Sequence, residues 1–268
     1  MPSQPRAADS VFQPAILGGP WTRRLALRRA WIDELPWDEP WPDDAADARW
    51  SWTQSAFSEY ASAAAFAEIA AALAAAGAPI DMIAAAGDFV SDEIVHVEAS
   101  ARIAAALGGG VLLEVDLTRL VRPSIASEPR MRAAELLIRT SCVGEALTVP
   151  LLKLARELSG STVVAAAIRR IVQDEALHAQ LGTWFLDWAD GWLDDEARAH
   201  LGEVAGVAVR AFAPLLGIGC TGSGLGVLSC DRYDPLFVET VARRVAAPLA
   251  ARGIEIPATD LRAVGVRA

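Results

Sequence analysis

Histidine and cysteine are both scarce in this chain, with three residues of each among 268. So few cysteines exclude a disulfide framework, and the sequence leaves open whether Cys220 and Cys230 meet across a loop. No sustained basic face is present, and the formal charge of -10 argues against a nucleic-acid partner. The chain also lacks a charge-free apolar run of about 18 residues and anything that resembles a signal peptide, so we expect a cytoplasmic protein without a membrane segment.

A strand pattern of any strength is missing as well, and strong helix formers dominate from residue 50 onward. Glycine and proline stops divide this part into two helix pairs joined by a long crossover that contains "VDLTRLVRPSIASEP". The predicted helices cover residues 50–77, 80–107, 130–158 and 163–190. We therefore predict an all-α fold, a four-helix bundle of the kind that uses a long crossover connection.

Three parts of the chain differ in composition. Residues 1–48 are rich in tryptophan and proline, which is unusual for disorder, so we expect an arm packed on the body of the protein. Residues 49–192 form the predicted bundle. Residues 193–268 form a C-terminal helical extension, with one helix from 194 to about 213, a glycine-rich loop at 216–230 and a last helix near 236–251.

Two of the three histidines share one context, Asp-Glu-x-x-His, in "SDEIVH" and "QDEALH". On a helix, residues three apart lie on one face, so Glu93 with His96, and Glu175 with His178, can each converge on one ion. A carboxylate with an imidazole suits iron, manganese or zinc. The third histidine, His200, has no such glutamate, and we interpret it as a surface residue.

A bundle that holds two ions through such motifs takes one more glutamate from each partner helix. Residues at equal distance from an antiparallel turn lie at the same height, at about 1.5 Å per residue. In the second helix pair this places Glu145 opposite its motif. In the first pair Glu59 fits to within about 4 Å and Glu68 only to within about 10 Å, so we favour Glu59.

Asp92 and Asp174 each precede a motif glutamate and point to a different helix face. We expect each of them to reach a neighbouring helix and to accept the second ring N–H of a histidine ligand. Four glutamates would also balance the charge of two divalent ions, which favours a buried site.

The segments "SEYASAAAFAEIAAAL" with "SDEIVHVEAS", and "SCVGEAL" with "QDEALHAQLGTWF", resemble the ferritin-like di-iron superfamily. The similarity is to bacterial ferritin-like domain proteins, whose motifs read Glu-x-Ala-Ser and Asp-Glu-x-x-His, and it covers roughly residues 50 to 190. It implies a di-iron carboxylate centre with these ligands: Glu59, Glu93, His96, Glu145, Glu175 and His178. The arm and the C-terminal extension lie outside the resemblance, which argues against iron storage.

The leading hypothesis is an O2-activating di-iron oxidase or oxygenase that acts on a small organic molecule. Its cofactors would be two iron ions, with manganese or a mixed manganese–iron pair as alternatives. We expect Gly144 and Gly182, near the ligands, to leave room for a substrate. An electron-donor protein and a homodimer are further partners that this hypothesis allows.

Two other functions stay open. One is a ferroxidase or peroxide-scavenging protein, and the other is a non-catalytic bundle that metal ions hold together.

Overall fold

The computed structural model describes residues 10–16, 18–217 and 222–266, and helices dominate it. The predicted all-α class is confirmed. The helices are α1 (Pro20–Asp33), α2 (Ala46–Ala75), α3 (Ile80–Ala106), α4 (Pro129–Leu137), α5 (Ala146–Glu157), α6 (Thr162–Ala189), α7 (Asp195–Arg210), α8 (Cys230–Thr240), α9 (Ala247–Ala250) and α10 (Ala258–Ala263).

At two of the boundaries between these helices the chain stays helical and only the type of helix changes. A π-helical segment, Ile138–Glu145, joins α4 to α5, and a second one, Val241–Ala246, joins α8 to α9. The third bundle helix is therefore continuous from residue 129 to 157, and it contains Pro150. We call the continuous helix from 230 to 250 the C-terminal helix; it starts before the predicted position of about 236.

Four long helices pack around a common centre. Helices α2 and α3 form one antiparallel pair, α5 and α6 form the other, α3 packs on α6 and α2 packs on α4. Large apolar side chains such as Phe66, Leu73 and Phe185 are fully buried between them. Ser161 caps α6 by accepting a hydrogen bond from the backbone N–H of Val164, as its sequence position favours.

Residues 20–41 of the N-terminal segment contact the bundle. Helix α1 packs on α3 and buries Ile32. Farther on, the Glu39 carboxylate accepts hydrogen bonds from the backbone N–H groups of Thr162 and Val163, where the start of α6 favours a negative charge. Among the described residues, these contacts attach residues 20–41 to both helix pairs.

Among the residues that the structure describes, there is one short strand pair, which the sequence did not predict. β1 (Ser10–Val11) pairs antiparallel with β2 (Glu114–Val115), which ties the N-terminal segment to the crossover. A strand of two residues is too short to show the alternation of apolar and polar residues that identifies a strand in a sequence. This is why the sequence did not predict the pair. Within the described ranges, none of the helices is both long and apolar enough to cross a membrane. Cys142 carries a free thiol, whereas Cys220, the candidate partner of Cys230, lies outside the described residues.

Candidate metal centre

The six residues predicted as ligands come together at the centre of the bundle. Two groups form, and in each the possible ligand atoms lie within 4.8 Å of one another. The first contains Glu59, Glu93, His96 and Glu175, and the second contains Glu93, Glu145, Glu175 and His178. Glu93 and Glu175 belong to both, so the six residues form one continuous cluster, which we call the Glu/His cluster.

Each histidine turns Nδ1 toward the glutamates. Nδ1 of His96 lies 3.2 Å from Glu175 Oε1 and 3.6 Å from Glu93 Oε2. Nδ1 of His178 lies 2.9 Å from Glu93 Oε1 and 3.1 Å from Glu175 Oε2. Glu93 and Glu175 therefore stand between the two rings, whose centroids are 6.1 Å apart.

The other ring nitrogens face the two predicted aspartates, each on the opposite motif helix. His96 Nε2 lies 3.2 Å from Asp174 Oδ2 on α6, and His178 Nε2 lies 3.7 Å from Asp92 Oδ2 on α3. A carboxylate in this position fixes the tautomer with Nδ1 unprotonated, which leaves Nδ1 available to a metal ion.

Two arginines hold these aspartates in place. Arg170 NH2 lies 3.0 Å from Asp174 Oδ1, one turn away on the same helix. Arg28, on α1, hydrogen-bonds to both Asp92 and Asp88. Sequence reasoning missed both arginines. The i,i+4 spacing of Arg170 and Asp174 was a readable signal, whereas no sequence pattern connects Arg28 to Asp92.

The cluster concentrates negative charge away from water. Burial, followed by the charges of Glu93 and Glu175, raises the pKa of Glu59 well above its usual value, and burial with the same two charges does so for Glu145. Burial opposes the charged form of His178, but the carboxylates of Asp92, Glu175 and Glu93 outweigh it and raise its pKa to about 12. Without a metal ion, the protonated His178 ring offsets part of this negative charge.

Several buried polar atoms in the cluster lack a hydrogen-bond partner among the described residues. They include both carboxylate oxygens of Glu93 and Nδ1 of His96, which lie close to other possible metal ligands but not in hydrogen-bond geometry. Leaving such atoms unpaired costs on the order of 1–3 kcal/mol each. The donor set of carboxylates and imidazoles suits a divalent transition metal, so these residues fit a bound metal ion.

The π-helical segment ends at Glu145 and brings the third bundle helix close to α6. A Cβ at Gly182 would lie 2.6 Å from Cys142 Sγ and 3.1 Å from Ser141 Cβ. The expectation that Gly182 leaves room for a substrate is therefore wrong, because the neighbouring helix fills that space. Single-turn π segments often occur at functional sites, and this one carries a cluster residue.

Predictions from the sequence also concern Glu68 and His200, and the structure bears differently on the two. Glu68 lies outside the cluster, with its side chain 43% exposed and 3.9 Å from Arg132, so the structure places Glu59 and not Glu68 at the centre. His200 is not a free surface residue, because its Nε2 lies 2.7 Å from the buried Glu135 carboxylate. That contact joins α7 to α4, which are distant in sequence, and this explains why it was missed.

Comparisons of the chain with models of known protein families, with curated proteins and with solved structures give no match.

Proposed function

We propose that this protein is a ferritin-like di-iron oxidase or oxygenase that activates O2 and acts on a small organic molecule. The observation that carries the proposal is the pair of four-residue groups that share Glu93 and Glu175. This arrangement would provide two adjacent positions for ions, each with one histidine and one glutamate of its own. Four carboxylates balance the charge of two divalent ions.

The chain's own residues would have three tasks. Glu93 and Glu175 would bridge the two positions, while Glu59 with His96, and Glu145 with His178, would each complete one of them. Asp174 and Asp92 would orient the histidines through their second ring nitrogens. When bound, two ferrous ions would supply the electrons that reduce O2.

Access to the cluster is uneven. The Glu59 side chain is 16% exposed, whereas those of Glu93, His96 and His178 are fully buried and that of Glu175 is 1% exposed. O2 and a small substrate would therefore reach the centre from the Glu59 side. The buried walls would exclude water from the other residues, which strengthens electrostatic interactions inside the site.

The direct test is the reaction of the iron-loaded chain with O2. The protein is loaded anaerobically with two equivalents of ferrous iron per chain and mixed with O2 in a stopped-flow spectrometer. We expect oxidation much faster than that of free ferrous iron in the same buffer, unchanged in Glu68→Ala and lost in Glu93→Gln. Oxidation no faster than that of free iron would refute the proposal and leave the metal-stabilised, non-catalytic bundle as the better interpretation.

The same experiment distinguishes the proposed oxidase or oxygenase from a ferroxidase. A ferroxidase consumes ferrous iron as its substrate, so repeated additions of iron would each be oxidised and retained as ferric product. An oxidase or oxygenase stops after its two bound ions unless an electron donor is supplied. We expect a single turnover per iron loading.

A further inference from the structure

A groove lies on the outer face of the helices that carry Glu145, Glu175 and His178. It is formed by residues 141–153 of the third bundle helix, residues 176–186 of α6 and residues 244–252, which begin in the C-terminal helix and extend just past its end. We call it the outer groove. Its volume is about 430 Å³, within the range of small-molecule sites. None of the residues that line it belongs to the Glu/His cluster.

The wall of the outer groove is mainly apolar. Val149 and Pro150 contribute from α5, Leu186 contributes from α6, and Val245 with Leu249 contribute from the C-terminal helix. Small residues, Ala146, Ala176 and Ala179, keep the space between the helices open. This lining suits the hydrocarbon part of a ligand.

Three cations border this apolar wall in a chain whose formal charge is -10. Arg252 is paired with Asp187, at 2.6 Å. Lys153 and Arg244 have no ion pair or hydrogen bond with any described residue. Unpaired cations beside an apolar groove favour an anionic ligand, because the local field attracts it and charge-assisted hydrogen bonds are stronger than neutral ones.

A second feature of the outer groove, independent of the cations, is a buried hydroxyl group that has no hydrogen-bond partner among the described residues. Ser141 lines the outer groove, its side chain is fully buried, and its hydroxyl has no hydrogen-bond partner among the described residues. A buried hydroxyl without a partner is costly, so the outer groove can also take a polar oxygen on the body of the ligand near Ser141, in addition to an acidic group near the cations. Cys142 lies beside it, and burial raises the pKa of its thiol to about 12, so this thiol stays protonated and does not act as a competing anion.

We propose that the outer groove binds a small organic acid, with its carboxylate near Lys153 and Arg244 and its hydrocarbon body against the apolar wall. This site is separate from the metal centre and does not rest on the proposed function. Such a ligand would lie against the helices that carry three cluster residues without touching the metal ions.

The test is calorimetric titration of the full chain, both metal-free and metal-loaded, with octanoate as the probe and octanol as its neutral analogue. We expect saturable octanoate binding and at least about tenfold weaker binding of octanol. The double variant Lys153→Gln/Arg244→Gln should lose about tenfold or more in affinity for octanoate. The matched control Arg243→Gln removes an adjacent exposed arginine that does not line the groove, and it should bind octanoate as the wild type does.

A second variant tests the space itself. Ala179→Leu places a larger side chain in the outer groove and should abolish octanoate binding without lowering the melting temperature, because Ala179 is only half-buried. Equal affinity for octanoate and octanol, unchanged binding in the double variant, or retained binding in Ala179→Leu would each overturn the proposal. Absence of saturable binding below about 10 mM would also overturn it. Because the metal-free chain is measured too, none of these results depends on di-iron activity.

Discussion

The two halves of the Glu/His cluster offer the same residue types but have different surroundings. We define the His96 half as Glu59 and His96 together with Asp174, which contacts His96. The His178 half is Glu145 and His178 together with Asp92, which faces His178, and both halves share Glu93 and Glu175. In the His96 half, the Glu59 side chain is 16% exposed. In the His178 half, Glu145 is buried.

Aromatic packing adds to this difference. The His178 ring packs on Phe89 and Phe66, with ring centroids 4.3 Å and 5.0 Å away, and the two phenylalanines also contact each other. These rings exclude water from one side of His178. The two halves therefore differ in two respects: the His96 half contains the partly exposed Glu59 carboxylate, and the His178 half is covered by aromatic rings.

The arginines that hold the two aspartates also come from different parts of the chain. Asp174 is held by Arg170 from its own helix, so the His96 half is supported within the bundle. Asp92 is held by Arg28 from α1, so the His178 half depends on the N-terminal segment. The proposed metal centre therefore extends beyond the four-helix bundle on one side only.

The largest expected effect comes from a residue that both halves share. Glu93→Gln removes the charge of one bridging carboxylate from both groups, so we expect it to lose both metal ions. Elemental analysis after loading with ferrous iron measures the ratio, which we expect to be about two ions per wild-type chain and near zero in the variant. Retention of two ions by Glu93→Gln would refute the shared role of this residue.

The next effect separates the halves from each other. Glu59→Ala removes a ligand from the His96 half only, so we expect it to retain about one ion per chain, in the His178 half. Glu145→Ala should show the reverse occupancy. Anomalous diffraction at the iron edge locates the remaining ion in each variant. Glu68→Ala is the matched control on α2 and should retain both ions, because Glu68 lies outside the cluster.

How far the sequence predicts this site depends on whether each contact is local. Glu59 and Glu145 could be placed because antiparallel helices fix the height of a residue relative to a turn, and that geometry tolerates small errors. The position of Arg28 could not be predicted, because it lies 64 residues before Asp92 and their contact requires α1 to pack on α3. The close contact of Gly182 with Cys142 was also unpredictable, because it depends on how closely two helices approach.

Metal affinity should rise with pH, because protons and metal ions compete for the cluster. In the metal-free chain the pKa values of Glu59 and Glu145 are raised well above normal and that of His178 is raised to about 12, so His178 holds a proton near neutral pH that a metal ion must displace. Each proton released on binding increases the apparent affinity about tenfold per pH unit. Competitive chelator titrations between about pH 6 and about pH 8 measure this slope, and a flat profile would contradict it.

Stability of the metal-free chain should change in the opposite direction. A group whose pKa is raised by folding stabilises the folded state below its unfolded pKa, and this contribution is lost as the pH rises toward the folded pKa. For His178 this loss starts near its ordinary pKa of 6.5 and continues toward about 12, and for Glu59 and Glu145 it starts near their ordinary value of 4.5. The difference in melting temperature between loaded and metal-free chains should therefore widen from about pH 6 to about pH 8 by calorimetry, and a difference that narrows would contradict this account.

The smallest expected effect comes from the two arginines that hold Asp92 and Asp174, and it tests whether α1 helps to position His178. Arg28→Ala removes the arginine behind Asp92, so we expect it to weaken binding of the ion in the His178 half by a few-fold. This is less than the roughly 10- to 100-fold loss that follows removal of a residue bonded directly to a ligand. Arg170→Ala should produce a similar loss in the His96 half. Arg24→Ala, an exposed position on the same helix as Arg28, is the control. If Arg28→Ala and Arg24→Ala have equal metal affinities, α1 packs on the bundle without positioning His178, and the asymmetry between the halves is limited to exposure and aromatic packing.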